Sequence, residues 1–200
     1  MELTEDEKRE YDRHFKEFRG FLASRRISIN TPQAFRRFIM RSARDPEARR
    51  ALIARNRALA IAFNSESKIE ALEEILWEYR EDRILIFTQH NRLVYRISSR
   101  FLLPYITQST GKEERSLILE GFKKGEFRAI VSSKVLDEGI DVPEASLGVI
   151  VSGTGSSREF TQRLGRLLRK KEGKQQARLI ELVSKATTET RTSSRRTRAF

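Results

Sequence analysis

The sequence predicts an all-helical unit followed by an α/β domain whose parallel sheet is flanked by helices. Up to about residue 63, apolar residues recur at the spacing of one helix face, and arginines fill the opposite faces. From residue 64, short apolar runs alternate with amphipathic segments of helix length. That alternation is typical of βαβ units, whose strands are buried on both faces. The three expected regions are residues 1–63, residues 64–184 and a tail, residues 185–200.

The first region should contain three helices. Its first helix has an apolar face made of Tyr11, Phe15, Phe18 and Leu22. Two later pairs, Thr31–Pro32 and Asp45–Pro46, indicate helix starts, because Thr and Asp cap amide groups and Pro suits the first turn. The apolar faces expected after these starts consist of Phe35, Phe38 and Ile39 in the second helix, and of Leu52, Ile53, Leu59 and Phe63 in the third.

The second region should alternate helices with five strands. Ser67 with Glu70 has the spacing of a capping box, and so has Thr110 with Glu113, so each pair indicates a helix start. Gly125 suits the end of the second of these helices. The tail from residue 185 has almost nothing to bury and is expected to be disordered. The strands are expected at residues 84–87, 105–106, 127–131, 147–151 and 178–183.

Composition excludes several classes of protein. The chain has no Cys and two His among its 200 residues. This excludes a disulfide framework, a thiolate metal site, a cysteine nucleophile and a histidine-rich metal centre. No apolar run approaches the roughly 18 residues of a membrane span, and the polar N-terminus is unlike a secretory signal. We therefore expect a soluble intracellular protein with no membrane partner.

Positive charge is concentrated in three blocks. The chain has 40 Lys and Arg against 28 Asp and Glu, a net charge of +12. Eleven arginines and two acids fall between Arg19 and Arg57, and the other blocks cover residues 158–178 and 185–200. Such clusters suit a polyanion, because each phosphate contact releases a condensed counterion. The alternative is a solvated, charge-rich surface of the kind found in thermophilic proteins.

The loop after the strand at residues 84–87 offers hydrogen-bonding side chains at a helix start. Ligands of an open parallel sheet gather beyond the carboxyl ends of its strands, so this loop is a candidate site. Its side chains suit phosphate oxygens, although Thr and Asn also cap helices. They are Thr88, Gln89, His90 and Asn91.

The loop after the strand at residues 127–131 has two parts. Two serines and Lys134 leave the strand, and their hydroxyl and ammonium groups suit backbone phosphates. Gly139 then permits a tight turn before Asp141. The carboxylate of Asp141, held by the stiff Val-Pro pair that follows it, either accepts hydrogen bonds from sugar hydroxyls or belongs only to a turn.

Residues 156–170 form the most informative segment. Gln162, Arg166 and Arg169 fall at i, i+4 and i+7 and so share one helix face. Two guanidinium groups on one face clamp a phosphate by bidentate hydrogen bonds and stabilise the charge of a phosphoryl group in transfer. The alternative is an arginine-rich solvent face. Gly165 argues against it, because glycine inside a helix costs about 1 kcal/mol, which close packing or a ligand should offset.

The sequence lacks half of a phosphoryl-transfer site. No segment matches the phosphate loop G-x-x-x-x-G-K-[ST], since the Thr-Gly-Lys at residues 110–112 is followed by Glu113. No apolar strand ends in the paired acids that hold Mg²⁺. The chain therefore has arginines for the reaction but no cradle for a triphosphate or its metal ion.

Three segments, residues 84–91, 132–145 and 156–170, resemble motifs IV, V and VI of superfamily 2 helicases. The sequences of these segments are similar to those of the XPB family of DNA repair and transcription helicases, in particular its archaeal members. The resemblance covers about residues 66–184. It implies the second RecA-like domain, of the P-loop NTPase type, of an ATP-dependent DNA helicase with 3′ to 5′ polarity.

The resemblance also carries roles over to individual residues. Arg166 and Arg169 match arginine fingers that reach a nucleotide held by the first RecA-like domain. The matched nucleotide contacts are Gln162, Gly139 and Asp141, and the matched DNA-backbone contacts are Gln89, Arg115, Ser133 and Lys134. Two positions depart from the family pattern: Ser133 stands where threonine is usual, and Gln108 stands where glycine is common.

Further expectations follow from the same resemblance. Residues 1–63 sit where XPB-like proteins carry a thumb-like insertion that grips DNA, with Arg36 and Arg37 as candidate contacts. ATP and Mg²⁺ should be held mainly by the first RecA-like domain, and a nuclease or another repair or transcription subunit is a possible partner. The setting should be cytoplasmic in a prokaryote or archaeon and nuclear in a eukaryote. The alternative function is a non-catalytic basic scaffold that binds nucleic acid.

Overall fold

The computed structural model describes residues 1–133, 142, 144–152, 178–190 and 193. Two compact units are present: Glu2–Ser65, and Met1 together with the chain from Glu66 onward. In the described part of the chain, no helix is long and apolar enough to cross a bilayer.

Three helices form the first unit: α1 (Glu5–Ser24), α2 (Pro32–Ser42) and α3 (Pro46–Phe63). Thr31 caps α2, where its Oγ1 accepts a hydrogen bond from the amide of Ala34 at 3.1 Å. Asp45 caps α3 through the amides of residues 47 and 48. Both helix starts predicted from a capping residue followed by proline are therefore confirmed.

The core of this unit differs from the expected one in α3. Phe18 and Phe38 are buried as predicted, with ring centroids 6.0 Å apart. Ile53 is 45% exposed, and Ile39 in α2 is 42% exposed, so both assignments to a buried face are wrong. Alanine allows close approach of the bulky aromatic side chains of α1, whereas the expected face counted only large residues. The buried face of α3 consists of Ala48, Ala51, Ala54, Ala58 and Ala62.

The second unit is an α/β domain with a five-stranded parallel sheet. Its strands are β1 (Ile84–Phe87), β2 (Tyr105–Ile106), β3 (Ala129–Ser132), β4 (Leu147–Ile150) and β5 (Arg178–Glu181). They lie in the order β2-β3-β1-β4-β5. The parallel register places Ile84 beside both Ala129 and Leu147. The predicted parallel sheet is confirmed, and β3 begins two residues later than expected.

Helices cover both faces of this sheet: α4 (Glu66–Glu78) and α5 (Asn91–Phe101) on one face and α6 (Lys112–Lys124) on the other. Successive strand residues point to opposite faces, so Ile84 and Ile86 join one core and Leu85 and Phe87 the other. All four are buried, which explains why β1 reads as a continuous apolar run.

The helix ends of this domain correct two predictions. α4 begins at Glu66, so Ser67 lies inside its first turn rather than capping it. Gly111, not Thr110, is the N-cap of α6, and the hydroxyl of Thr110 accepts the amide of Thr107 at 2.9 Å instead. Gly125 ends α6 as predicted, with a left-handed φ of +87° that glycine adopts without strain.

The segment after β5 differs from the expected disorder over residues 185–190. Glu189 is 3% exposed, and its carboxylate lies 2.7 Å from Lys68 Nζ in α4. Lys68 also donates to the carbonyl oxygen of Val151 at 2.8 Å, and Ser184 donates its amide to Glu189 at 2.9 Å. An ion pair between partners 121 residues apart leaves no local sequence pattern, so composition alone could not indicate it.

Candidate functional site: the strand-end edge of the sheet

The carboxyl ends of the parallel strands meet at one edge of the sheet, where buried hydroxyl side chains follow β1, β2, β3 and β4. The hydroxyls after β1 and β4 bond each other, with 2.9 Å between Thr88 Oγ1 and Ser152 Oγ. The amide of Gln89 donates to the same Ser152 oxygen at 3.1 Å. The buried hydroxyl residues of this strand-end edge are Thr88, Thr107, Thr110, Ser132, Ser133 and Ser152.

On the β3 side, this edge is fixed to β2. Ser132 Oγ donates to the carbonyl oxygen of Ile106 at 3.1 Å, and the amide of Ser133 donates to the same oxygen at 3.1 Å. Ser133 is 4% exposed. Its backbone is therefore held in place, while its predicted contact with DNA stays a prediction.

Gln89 and Arg115 are predicted DNA-backbone contacts that retain unused hydrogen-bonding capacity. Gln89 follows β1, and its buried Oε1 has no partner within the described part of the chain. Arg115 lies in the first turn of α6, and its buried Nε likewise lacks a partner there. A buried polar atom without a partner costs roughly 1–3 kcal/mol, so each atom is a place where a ligand or a neighbouring group would be stabilising.

The remaining predicted residues of this edge lie outside the described residues. They are the residues matched to motifs V and VI beyond Ser133. Their roles stay predictions from the sequence. The residues concerned are Lys134, Gly139, Asp141, Gln162, Arg166 and Arg169.

The arginines of the helical unit fall into two classes that composition could not separate. Some make contacts within the unit: Arg25 lies 2.6 Å from Glu47, and Arg41 lies 3.0 Å from Asp45. The amide of Ala48 and then Arg41 hold the pKa of Asp45 below its usual value, whereas hydrogen bonding with Glu47 raises the pKa of Arg25. Others are exposed and have no side-chain partner among the described residues, including Arg36, Arg37 and Arg44.

Arg55 also makes a contact within the helical unit, but with an aromatic ring instead of an acid. Its guanidinium carbon lies 4.5 Å from the ring centroid of Phe35, a cation–π contact. Burial lowers the pKa of Arg55. Among the described residues there is no group of three or more His, Cys, Asp or Glu side chains that could hold a metal ion.

The five-stranded parallel sheet flanked by helices is a RecA-like fold, and solved structures share it. The Escherichia coli DEAD-box protein SrmB, solved with the regulator of ribonuclease activity A, has a TM-score of 0.59 and 18% identity over 68% of this chain and 79% of that chain. A DEAD box protein from Methanococcus jannaschii has a TM-score of 0.56 and 21% identity, over 66% of this chain and 36% of that chain. The Pyrococcus furiosus Hef helicase domain has a TM-score of 0.52 and 24% identity, over 92% of this chain and 37% of that chain. These likenesses show the fold alone.

Residues 50–200 match the ERCC3/RAD25/XPB C-terminal helicase family, and the chain belongs to that family. The DNA 3′-5′ translocase XPB2 of Sulfurisphaera tokodaii is 47% identical over 98% of this chain and 44% of its own length. The XPB subunit of general transcription and DNA repair factor IIH of Danio rerio is 37% identical over 60% of this chain and 16% of its length. The chain thus spans less than half the length of these relatives, and the predicted resemblance to XPB is confirmed.

Proposed function

We propose that this chain is the C-terminal motor half of an ATP-dependent 3′-5′ DNA helicase or translocase of the XPB type. The observation that carries the proposal is the family match over residues 50–200, which includes the whole strand-end edge. In this proposal the helical unit grips DNA in the manner of a thumb, and the RecA-like domain closes on a nucleotide held by the first RecA-like domain.

Arg166 and Arg169 are the proposed arginine fingers. Gln162, Gly139 and Asp141 are the proposed nucleotide contacts, and all five assignments rest on the match to the family motifs. ATP with Mg²⁺, bound mainly by the first RecA-like domain, supplies the phosphoryl group whose transfer to water drives movement. The two guanidinium groups would neutralise charge on that group as the cleft closes, a contribution of about a thousandfold or more in rate.

The strand-end edge supports the proposed DNA contacts. The Arg115 guanidinium, whose buried Nε has no partner among the described residues, offers charge-assisted donors for a phosphate oxygen. Gln89 directly precedes His90, the N-cap residue of α5. The first backbone amides of a helix carry positive polarity, which also favours phosphate. Ser133 and Lys134 complete the proposed path of the strand.

ATP turnover tests this function most directly. It should be measured with and without forked DNA, for this chain alone and mixed with the first RecA-like domain of an XPB-type helicase. We expect no appreciable turnover by the chain alone, because the sequence contains neither the phosphate loop nor the paired acids. DNA-stimulated turnover should appear in the mixture.

The Arg169→Ala variant tests the finger assignment within the same assay. Turnover in the mixture should fall by about a thousandfold or more. Arg128→Ala is the matched control, because Arg128 is exposed and directly precedes β3, at the amino ends of the strands. Unchanged turnover in Arg169→Ala would refute the assignment. No turnover in any mixture, with DNA binding that falls steeply with salt, would instead support the non-catalytic scaffold, which the three basic blocks alone would serve.

A further inference from the structure

The exposed face of α2 combines an exposed methionine with arginines that have no side-chain partner among the described residues. Met40 is 69% exposed and lies at the centre of that face. Arg36 and Arg37 precede it by four and three residues within α2, so both neighbour Met40 on the helix surface, and Arg44 follows two residues after the end of α2. The opposite face carries Phe38, which is 2% exposed and belongs to the core.

The charge of this face is not compensated within the unit. Neither Pro32–Ser42 nor the two residues after it contain an acid. The nearby acids are already engaged, Asp45 with Arg41 and Glu47 with Arg25. A single exposed apolar side chain is ordinary on a protein surface. A methionine that neighbours two arginines without a side-chain partner in the described part of the chain, with a third arginine just beyond the helix end, is not explained by solvation, and the charge favours a polyanionic occupant over a protein surface.

The spacing indicates what Met40 would meet on such a polyanion. Arg36 and Ser42, the last residue of α2, are six residues apart, about 9 Å along the helix axis at 1.5 Å per residue, and Arg44 lies two residues beyond Ser42. That distance exceeds the separation of neighbouring phosphates, so the outer arginines can hold phosphates on either side of the middle position. The side chain between them then faces sugars and bases. A thioether is flexible and polarisable, and methionine is among the apolar residues that wedge between base steps.

We propose that Met40 is a base-contacting residue of the DNA interface, which inserts against an unstacked base while Arg36, Arg37 and Arg44 hold the flanking phosphates. The proposal deepens the proposed function and rests on it, because it assumes that the helical unit binds DNA. It assigns to α2 a role beyond a non-specific electrostatic grip. The preferred ligand is DNA with an accessible unpaired base, such as a fork, over a closed duplex.

The test uses the 200-residue chain with a DNA fork that carries 2-aminopurine at the junction, whose fluorescence rises when its base unstacks. At a saturating concentration of the chain, the 2-aminopurine fluorescence should rise. Met40→Ala should lose most of this rise, with affinity lowered only several-fold, because the phosphate contacts remain. Met40→Leu should keep it. Ile53→Ala, at a position 45% exposed on α3, is the matched control and should leave fluorescence and affinity unchanged.

Met40→Lys separates the two kinds of contact. The added ammonium group should steepen the dependence of log affinity on log salt by about 0.9 if it gains one phosphate, while the fluorescence rise is lost. Saturation without a rise, or a rise that Met40→Ala leaves intact, would overturn the role of Met40 while leaving the proposed function standing. If Met40→Ala leaves the DNA signals intact but weakens assembly with the first RecA-like domain, the face is a protein interface and the proposal is wrong. No binding of any DNA at low salt would overturn both proposals.

Discussion

The buried ion pair between Lys68 and Glu189 gives a prediction whose size follows from its contacts. Lys68 is fully buried and Glu189 is 3% exposed. Among the described residues, the contacts of the ammonium group include the two carboxylate oxygens, at 2.8 and 2.7 Å, and the carbonyl oxygen of Val151, at 2.8 Å. Lys68→Met leaves the carboxylate buried without a counter-ion. Removal of one partner from a buried pair costs roughly 3–5 kcal/mol of unfolding free energy.

The double variant Lys68→Met with Glu189→Met should lose less unfolding free energy than the sum of the losses of the two single variants. It removes both charges, and the cost that remains includes the lost partners of Val151 O and of the Ser184 amide, about 1–3 kcal/mol for each unsatisfied group. We expect a coupling free energy of at least about 2 kcal/mol between the two positions. Urea unfolding of the wild type, both single variants and the double variant measures it.

The destabilisation should also depend on pH. Burial raises the pKa of Glu189 above its ordinary 4.5, and Lys68 and the Ser184 amide offset only part of this rise. In Lys68→Met the offset from Lys68 is lost, so the pKa of Glu189 in the folded state rises further than in the wild type. Stability relative to wild type is then lost as pH rises through the folded-state pKa of Glu189, which lies above 4.5. Lys68→Met should therefore be closer to wild type at pH 5 than at pH 8.

A surface pair provides the control. Arg100 lies 3.1 Å from Glu73, and both side chains are more than half exposed. Arg100→Met should cost less than about 1 kcal/mol, with little dependence on pH. A cost of that size for Lys68→Met, or effects of the two single variants that simply add in the double variant, would refute the argument that the buried pair is coupled.

Two further predictions concern helix ends and packing. Thr31→Ala should lower the free energy of unfolding by about 1 kcal/mol, because the α2 amide of Ala34 loses its cap, and Thr31→Ser should restore it; urea unfolding checks both. Gly121→Ala should cost roughly 1–3 kcal/mol, because its Cβ would lie 2.6 Å from a ring carbon of Phe127. Thermal unfolding measures this, and adding Phe127→Leu should recover part of the loss; an unchanged melting temperature for Gly121→Ala would contradict the packing argument.

Local sequence patterns predicted those parts of the fold that local physics decides. β1 is an apolar run because both of its faces are covered, and α2 starts where Thr31 and Pro32 stand. The alanine face of α3 was missed because helix–helix contact there depends on small volume, which a count of large apolar residues ignores. The capping box at Thr110 was wrong because its hydroxyl bonds Thr107 within the preceding turn. In both wrong predictions, the deciding contact lies outside the sequence pattern on which the prediction rested.

The strand-end edge was likewise predicted only in part from the sequence. Its position follows from parallel strands alone, so the loops after β1 and β3 could be singled out from sequence. The bond between Thr88 and Ser152 joins residues 64 apart in the chain, and neither has a distinguishing local signal. The match of motifs, not periodicity, supplied the roles proposed for Arg166 and Arg169.

The two buried networks at β4 fix the strand end that leads toward the motif VI residues. On one side, Lys68 holds the carbonyl oxygen of Val151. One residue further, Ser152 Oγ is held by Thr88 and by the amide of Gln89. The charge that matters to this domain is therefore not only the exposed, basic kind: a fully buried lysine helps to fix the chain where it leaves β4.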